Sequence, residues 1–173
     1  MEKLWVREFF LKAHLYAAKS RYRQGLIADG RRKSVEAARH FRVAVERLEK
    51  RTEVLRYWRE LPEDKELRIE IEARIAYLEG ELLFQEGDRV WKEARPRQPE
   101  LAYGLMLAAA KRYEASQTVV EPLVPRWKVQ WKQLQENLKL FETVRTKPAL
   151  LTEKQITRII NPEAGLDPEP ATR

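Results

Sequence analysis

The stretch KSRYRQGLIADGRRKS, residues 19–34, sets six basic side chains (Lys19, Arg21, Arg23, Arg31, Arg32 and Lys33) around a single acid, Asp29. Arginine's planar fork donates paired hydrogen bonds to phosphate oxygens, so arginines clustered at an interhelical turn suit a phosphate backbone. Arg39 and Arg42 continue the run, and Lys3, Arg7 and Lys12 precede it. These residues are the candidate contacts to a nucleic acid, with double-stranded DNA the expected form. No helix-turn-helix recognition helix, zinc-finger spacing or aromatic β-platform accompanies them, so contact through the backbone with little base preference is expected.

Other chemistry is sparse. His14 and His40 stand apart, with no His-Glu-x-x-His or Glu-x-x-His pairing for a metal. GDRVWKEA, which follows a strongly helical segment at Gly87, lacks both the glycine loop and the lysine of a phosphate-binding turn. Cysteine is absent, which removes thiolate ligands, thiol catalysis and disulfides together. Glu70, Glu72, Glu79, Glu81, Glu86 and Asp88 could hold a cation or act as acid and base, but they scatter around their helix between two apolar stripes. A solvated acidic face is expected of them, with no metal, no cofactor and no catalytic set. A carboxylate-based enzyme is the third reading, behind a binding protein and an adaptor.

The elements that must position these groups are helices. Six glycines in 173 residues are too few for a turn-rich β fold, while Ala, Leu, Glu, Arg and Lys dominate, so the class is all-α. Proline marks the boundaries, because it lacks an amide donor and biases the preceding residue away from helix. Helices are predicted over 3–24, 34–60, 63–94, 99–120 and 125–146, with GLIADG as the first turn. Thr152 and Gln155 have capping-box spacing for a short sixth helix ending before Asn161-Pro162. The expected architecture is an antiparallel helical bundle of about five helices in a single domain over 1–160, plus an extended tail over 161–173. The longest uncharged run, LAYGLMLAAA at 101–110, is about half of what a membrane-spanning helix needs, so no membrane span is expected. Charges within MEKLWVREFF point away from a secretory signal.

Charge is polarised along the chain. Residues 1–61 carry 16 basic and 8 acidic side chains, whereas residues 62–95 carry 6 and 10. A partner therefore meets a lopsided field, and the N-terminal part is its cationic side. On the first helix, Lys3, Arg7, His14 and Arg21 fall on one strip and Lys12, Lys19 and Arg23 on another. Leu4, Leu11, Leu15, Ala18 and Tyr22 lie between them on one side, and Trp5, Phe9, Ala13, Tyr16 and Ala17 on the other. One apolar face joins the protein's own core; the second needs a cover, from the same chain or from another copy. The tryptophans, Trp5, Trp58, Trp91, Trp127 and Trp131, are expected mostly in the core. Lys128, Lys132 and Lys139 form a second, weaker basic face.

YLEGELLFQEGDRVWKEA, residues 77–94, resembles the middle of a tetratricopeptide repeat over one partial unit. That resemblance implies a helical adaptor for an acidic protein partner. The basic, aromatic-rich first helix leading into proline-punctuated helices is similar to the nucleocapsid (major capsid) proteins of filamentous archaeal viruses. This second resemblance implies a non-enzymatic subunit, cytoplasmic or in the virion, that packages DNA. It also implies self-assembly, or assembly with a related helical subunit. Two asparagines, two methionines and abundant charge fit a heat-adapted source.

Overall fold

The computed structural model describes residues 2–54, 61–94 and 97–165, with backbone alone at 2–4 and 164–165. Among the described residues the protein is all-α: six helices and no strand, as its composition dictates. They are α1 (Glu2–Gly30), α2 (Ser34–Val54), α3 (Pro62–Lys92), α4 (Pro99–Val120), α5 (Arg126–Thr143) and α6 (Glu153–Ile160). The structure gathers into two compact units, Met1–Ile75 and Ala76–Arg173, whose boundary falls within α3.

The proline signals hold. Pro62 and Pro99 each open a helix, where the missing amide is an orphan in any case, and Pro125 is the residue before α5. The capping box forms as expected: the Thr152 hydroxyl accepts from the Gln155 amide while the Gln155 side chain accepts from the Thr152 amide. Of the segment expected as an extended tail, Pro162–Gly165 instead make a single 3-10 turn, and residues 166–173 lie outside the described residues.

The first turn is displaced from its predicted place. GLIADG is not a turn; α1 continues through it to Gly30, and the chain reverses at Arg31–Lys33. Packing explains the difference, because a Cβ at Gly25 would overlap the ring of Phe41, which is wholly buried. Glycine at that position lets α1 and α2 approach closely, and this contact outweighs its poor helix propensity. With Phe41, the residues Ala18, Ala28, Ala37, Ala38, Ala44, Leu48, Ile71 and Ala73 are the buried apolar residues of the first unit among those described.

A buried ion pair locks the same unit. Arg51 Nε donates to Asp64 Oδ2 at 2.6 Å, and Arg51 Nη1 donates to the Leu11 carbonyl at 2.6 Å. One guanidinium thus joins the middle of α1, the end of α2 and the first turn of α3. Asp64 also complements the positive end of the α3 dipole. Tyr22 donates to Glu70, which accepts from Arg74 Nε at 3.0 Å as well. Burial and that carboxylate push the Tyr22 hydroxyl up to about 12.

The second unit is built on aromatics. Trp127 is buried at the base of a stack with Trp131 (centroids 5.6 Å apart) and Tyr113. Beneath it runs a polar network: Tyr77 and Tyr113 donate to Gln130 Oε1 at 2.7 and 3.1 Å, and Gln130 Nε2 donates to Glu81 at 2.6 Å. Desolvation raises the Tyr113 hydroxyl well above its ordinary range. The connection after α5 lies against α4, where the Ala149 amide donates to the Glu100 carbonyl at 2.8 Å. Gly104 permits this approach, since an added Cβ would collide with the Ala149 backbone.

Candidate nucleic-acid interface

The eleven candidate basic residues divide by what they touch. Lys3 is outside the described side chains. Arg7 Nη2 donates to the Val54 carbonyl at 3.0 Å, near the end of α2. Arg21 Nη1 donates to Gln24 at 3.1 Å and stands 3.4 Å from His40 Nδ1. Arg7 and Arg21, which share a strip of α1 with His14, are thus turned to intramolecular work on α2. Arg39 and Arg42 likewise have partners within the protein.

The other strip of α1 faces solvent. Lys12, Lys19 and Arg23 are exposed. Lys12 lies 2.7 Å from Glu8, whose hydrogen bond and charge raise its pKa. Among the described residues, no carboxylate stands within ion-pair distance of Lys19, Arg23, Arg31 or Arg32. Lys33 reaches Glu36 at 3.1 Å, and this contact holds the Glu36 carboxyl below its usual range. At 1.5 Å per residue the seam from Lys12 to Arg23 extends about 16 Å, and the basic turn follows it.

Beside that seam runs an exposed apolar row. Trp5 is 76% exposed, Phe9 70% and Tyr16 69%, with Ile27 further along the same strip. At about 100° per residue these four fall within a narrow arc of α1, adjacent to Lys12, Lys19 and Arg23. Leu11, Leu15 and Tyr22, on the opposite side, are half-buried and Ala18 is fully buried. The helix is therefore covered on one apolar face and bare on the other. Trp5 departs from the core role expected of tryptophan, and Trp58 lies outside the described residues.

The turn itself is under backbone strain. Arg32 has φ 58°, the left-handed conformation usually left to glycine. The Lys33 amide donates to the Ala28 carbonyl at 3.0 Å and the Arg32 amide to the Asp29 carbonyl at 2.9 Å. These bonds make a Schellman closure of α1 with arginine at the left-handed position. The same closure recurs after α5, where Arg145 has φ 54°. A left-handed non-glycine residue costs about 1–2 kcal/mol.

The six carboxylates of α3 expected on a solvated face instead each meet a cation. Glu70 pairs with Arg74, Glu72 with Arg68, Glu79 with Arg112, Glu81 with Arg126, Glu86 with Arg89 and Asp88 with Lys92, at 2.6–3.7 Å. Glu79 and Glu81 are buried, not solvated. Among the described residues no group of three or more His, Cys, Asp or Glu side chains could hold a metal, and no helix is long and apolar enough to cross a membrane. On the weaker basic face, Lys128 and Lys132 lie 3.4 and 4.0 Å from Glu121 and Glu136.

What the fold and surface define is a class: an all-α protein with one helix bare along an aromatic and cationic face. Comparison with known proteins adds no relative to that description, because no family model, curated protein or solved structure matches the chain.

Proposed function

We propose that this protein is a non-enzymatic, nucleic-acid-binding structural subunit that grips the phosphate backbone through α1 and the following turn and assembles with copies of itself or a related helical subunit. The observation that carries this reading is the bare face of α1, where Lys19 and Arg23 stand beside Trp5, Phe9 and Tyr16 with no carboxylate within ion-pair distance among the described residues. Exposed cations of this kind are satisfied by a polyanion. An aromatic row in water is satisfied by burial, and a second subunit laid along α1 supplies it while leaving the seam at the edge of the contact. DNA packaging in a filamentous particle, the role implied by the resemblance of the N-terminal helix, fits both demands. The pairing of Arg7, Arg21 and Lys12 narrows the predicted grip to Lys19, Arg23, Arg31 and Arg32 as its principal contacts.

The test is fluorescence anisotropy of a labelled duplex across a salt series. Four phosphate contacts give log K against log salt a slope of about −3.6. The double variant Lys19→Glu/Arg23→Glu is expected to flatten that slope and weaken binding, with little dependence on duplex sequence in either protein. Binding indifferent to salt between about 50 and 200 mM, or no retained duplex at the lower end, overturns the proposal.

A further inference from the structure

The reversal between α1 and α2 encloses a notch of about 130 Å³ lined by Gln24, Ile27 and Ala28 of α1, by Arg31 and Lys33 of the turn, and by Glu36 and His40 of α2. Arg31, Lys33 and His40 bring nitrogen donors to its lining, and Arg21 Nη1 stands 3.4 Å from His40 Nδ1. The space holds about four water molecules at liquid density, which is the size of a phosphate group and its nearest hydration. We propose that this notch is a phosphate-binding site in which Arg31, Lys33 and His40 hold one phosphate group, with the Glu36 carboxylate beside Lys33 and His40 when the phosphate is away. The proposal rests on the backbone-binding reading for its natural ligand, a phosphodiester of the nucleic acid.

Three observations support it. Glu36 already sits as an anion among these groups, with Oε2 3.1 Å from Lys33 Nζ and Oε1 3.9 Å from His40 Nε2. A phosphate carries more acceptor oxygens than a carboxylate and can engage an arginine fork and an ammonium together. Second, the local field around the imidazole is positive: after burial, Arg21 and then Arg39 lower the His40 pKa, and only Glu36 opposes them. An arriving phosphate reverses that balance, so its binding and the protonation of His40 promote each other. Third, Arg32 holds its left-handed conformation between the two residues that supply the turn's side of the notch. Backbone strain of this kind persists where surrounding structure fixes the chain for a purpose.

The experiment follows the imidazole signals by NMR across a pH titration at constant ionic strength, first with chloride, then with inorganic phosphate, then with a short duplex. The chain has two histidines, so His14 serves as the internal control. Phosphate is expected to raise the His40 titration midpoint and leave His14 in place, and to bind about tenfold more tightly to the protonated notch. Glu36→Gln is expected to tighten phosphate binding several-fold, and Arg31→Gln/Lys33→Gln to abolish the His40 response. A His40 midpoint indifferent to phosphate, or one that moves in step with His14, overturns the site. The duplex separates the two proposals. Salt-sensitive duplex binding with a silent His40 sinks the notch and leaves the backbone reading standing. A phosphate response with no duplex binding sinks the backbone reading and leaves a site for free phosphate.

Discussion

The closeness of α1 to α2 should hinge on the one missing methyl at Gly25. Replacing Gly25 with Ala places a Cβ against three carbons of the Phe41 ring, the farthest at 3.0 Å, well inside normal van der Waals separation. Phe41 is 0% exposed, and Tyr22 lies on it with ring centroids 5.7 Å apart, so the ring has no free space to swing into. Overpacking of this kind costs about 1–3 kcal/mol, while alanine's helix propensity returns about 1 kcal/mol. The expected net loss is about 1 kcal/mol, read as a lower urea midpoint at constant slope with far-ultraviolet circular dichroism. Phe41→Leu alone loses about 1–2 kcal/mol of buried contact. In the double variant the smaller side chain accommodates the new methyl, so the two effects combine with a favourable coupling of about 1 kcal/mol. Should Gly25→Ala instead raise stability by the full propensity gain, with strictly additive behaviour in the double variant, the close helix crossing deduced here is wrong.

Other perturbations probe the same unit. Arg32→Gly is expected to stabilise the protein by about 0.5–1 kcal/mol by relieving the left-handed arginine, whereas Arg32→Ala, which keeps a Cβ, should bring no such gain; equal urea midpoints for the glycine and alanine variants would contradict the strain. Asp64→Asn leaves the buried Arg51 guanidinium without its counterion and should cost about 3 kcal/mol, while Arg51→Met/Asp64→Leu, which removes both charges, should cost much less; similar losses in the two variants would show that the pair is not the clamp. His40 has a folded-state pKa below its ordinary 6.5, so the unfolded chain binds the extra proton first. Its contribution to stability is complete above pH 6.5 and is lost as pH falls below that value, and a urea series against pH should show this slope diminished in His40→Gln.

Much of the fold can be read in the residues that start helices. Pro62, Pro99, Pro125 and the Thr152–Gln155 pair act through their own backbone or through neighbours within one turn, and such local signals survive without knowledge of the tertiary structure. Gly25 and Gly30 misled for the same reason in reverse. Their local preference is for a break, and only Phe41, far along the chain, explains why the helix continues past Gly25. The candidate site was legible in composition but not in detail. Helical spacing separates the strip of Arg7, His14 and Arg21 from that of Lys12, Lys19 and Arg23, yet it does not say which strip meets α2. The Arg7–Val54 and Arg21–His40 contacts decide that, at separations of 47 and 19 residues. His40 looked solitary in sequence because Arg31 and Lys33 join it only when the turn folds back.

The distribution of ion pairs is what gives the charge imbalance a direction. A surplus of positive charge in residues 1–61 would mean little if the acids of α3 were free to offset it. Several of them are not: Glu70 and Glu72 are engaged with Arg74 and Arg68, cations of the same helix, as are Glu86 and Asp88 with Arg89 and Lys92. Within the first unit, Glu8 is occupied by Lys12 and Glu36 by Lys33, while Asp64 is committed to Arg51 in the interior. Among the described residues, Lys19 and Arg23 on the bare face of α1 and Arg31 and Arg32 in the strained turn have no carboxylate within ion-pair distance. Together these four concentrate positive charge along α1 and the turn that follows it. A ligand that neutralises that charge must carry several negative charges in a row, which is the property that distinguishes a nucleic-acid backbone from an isolated anion.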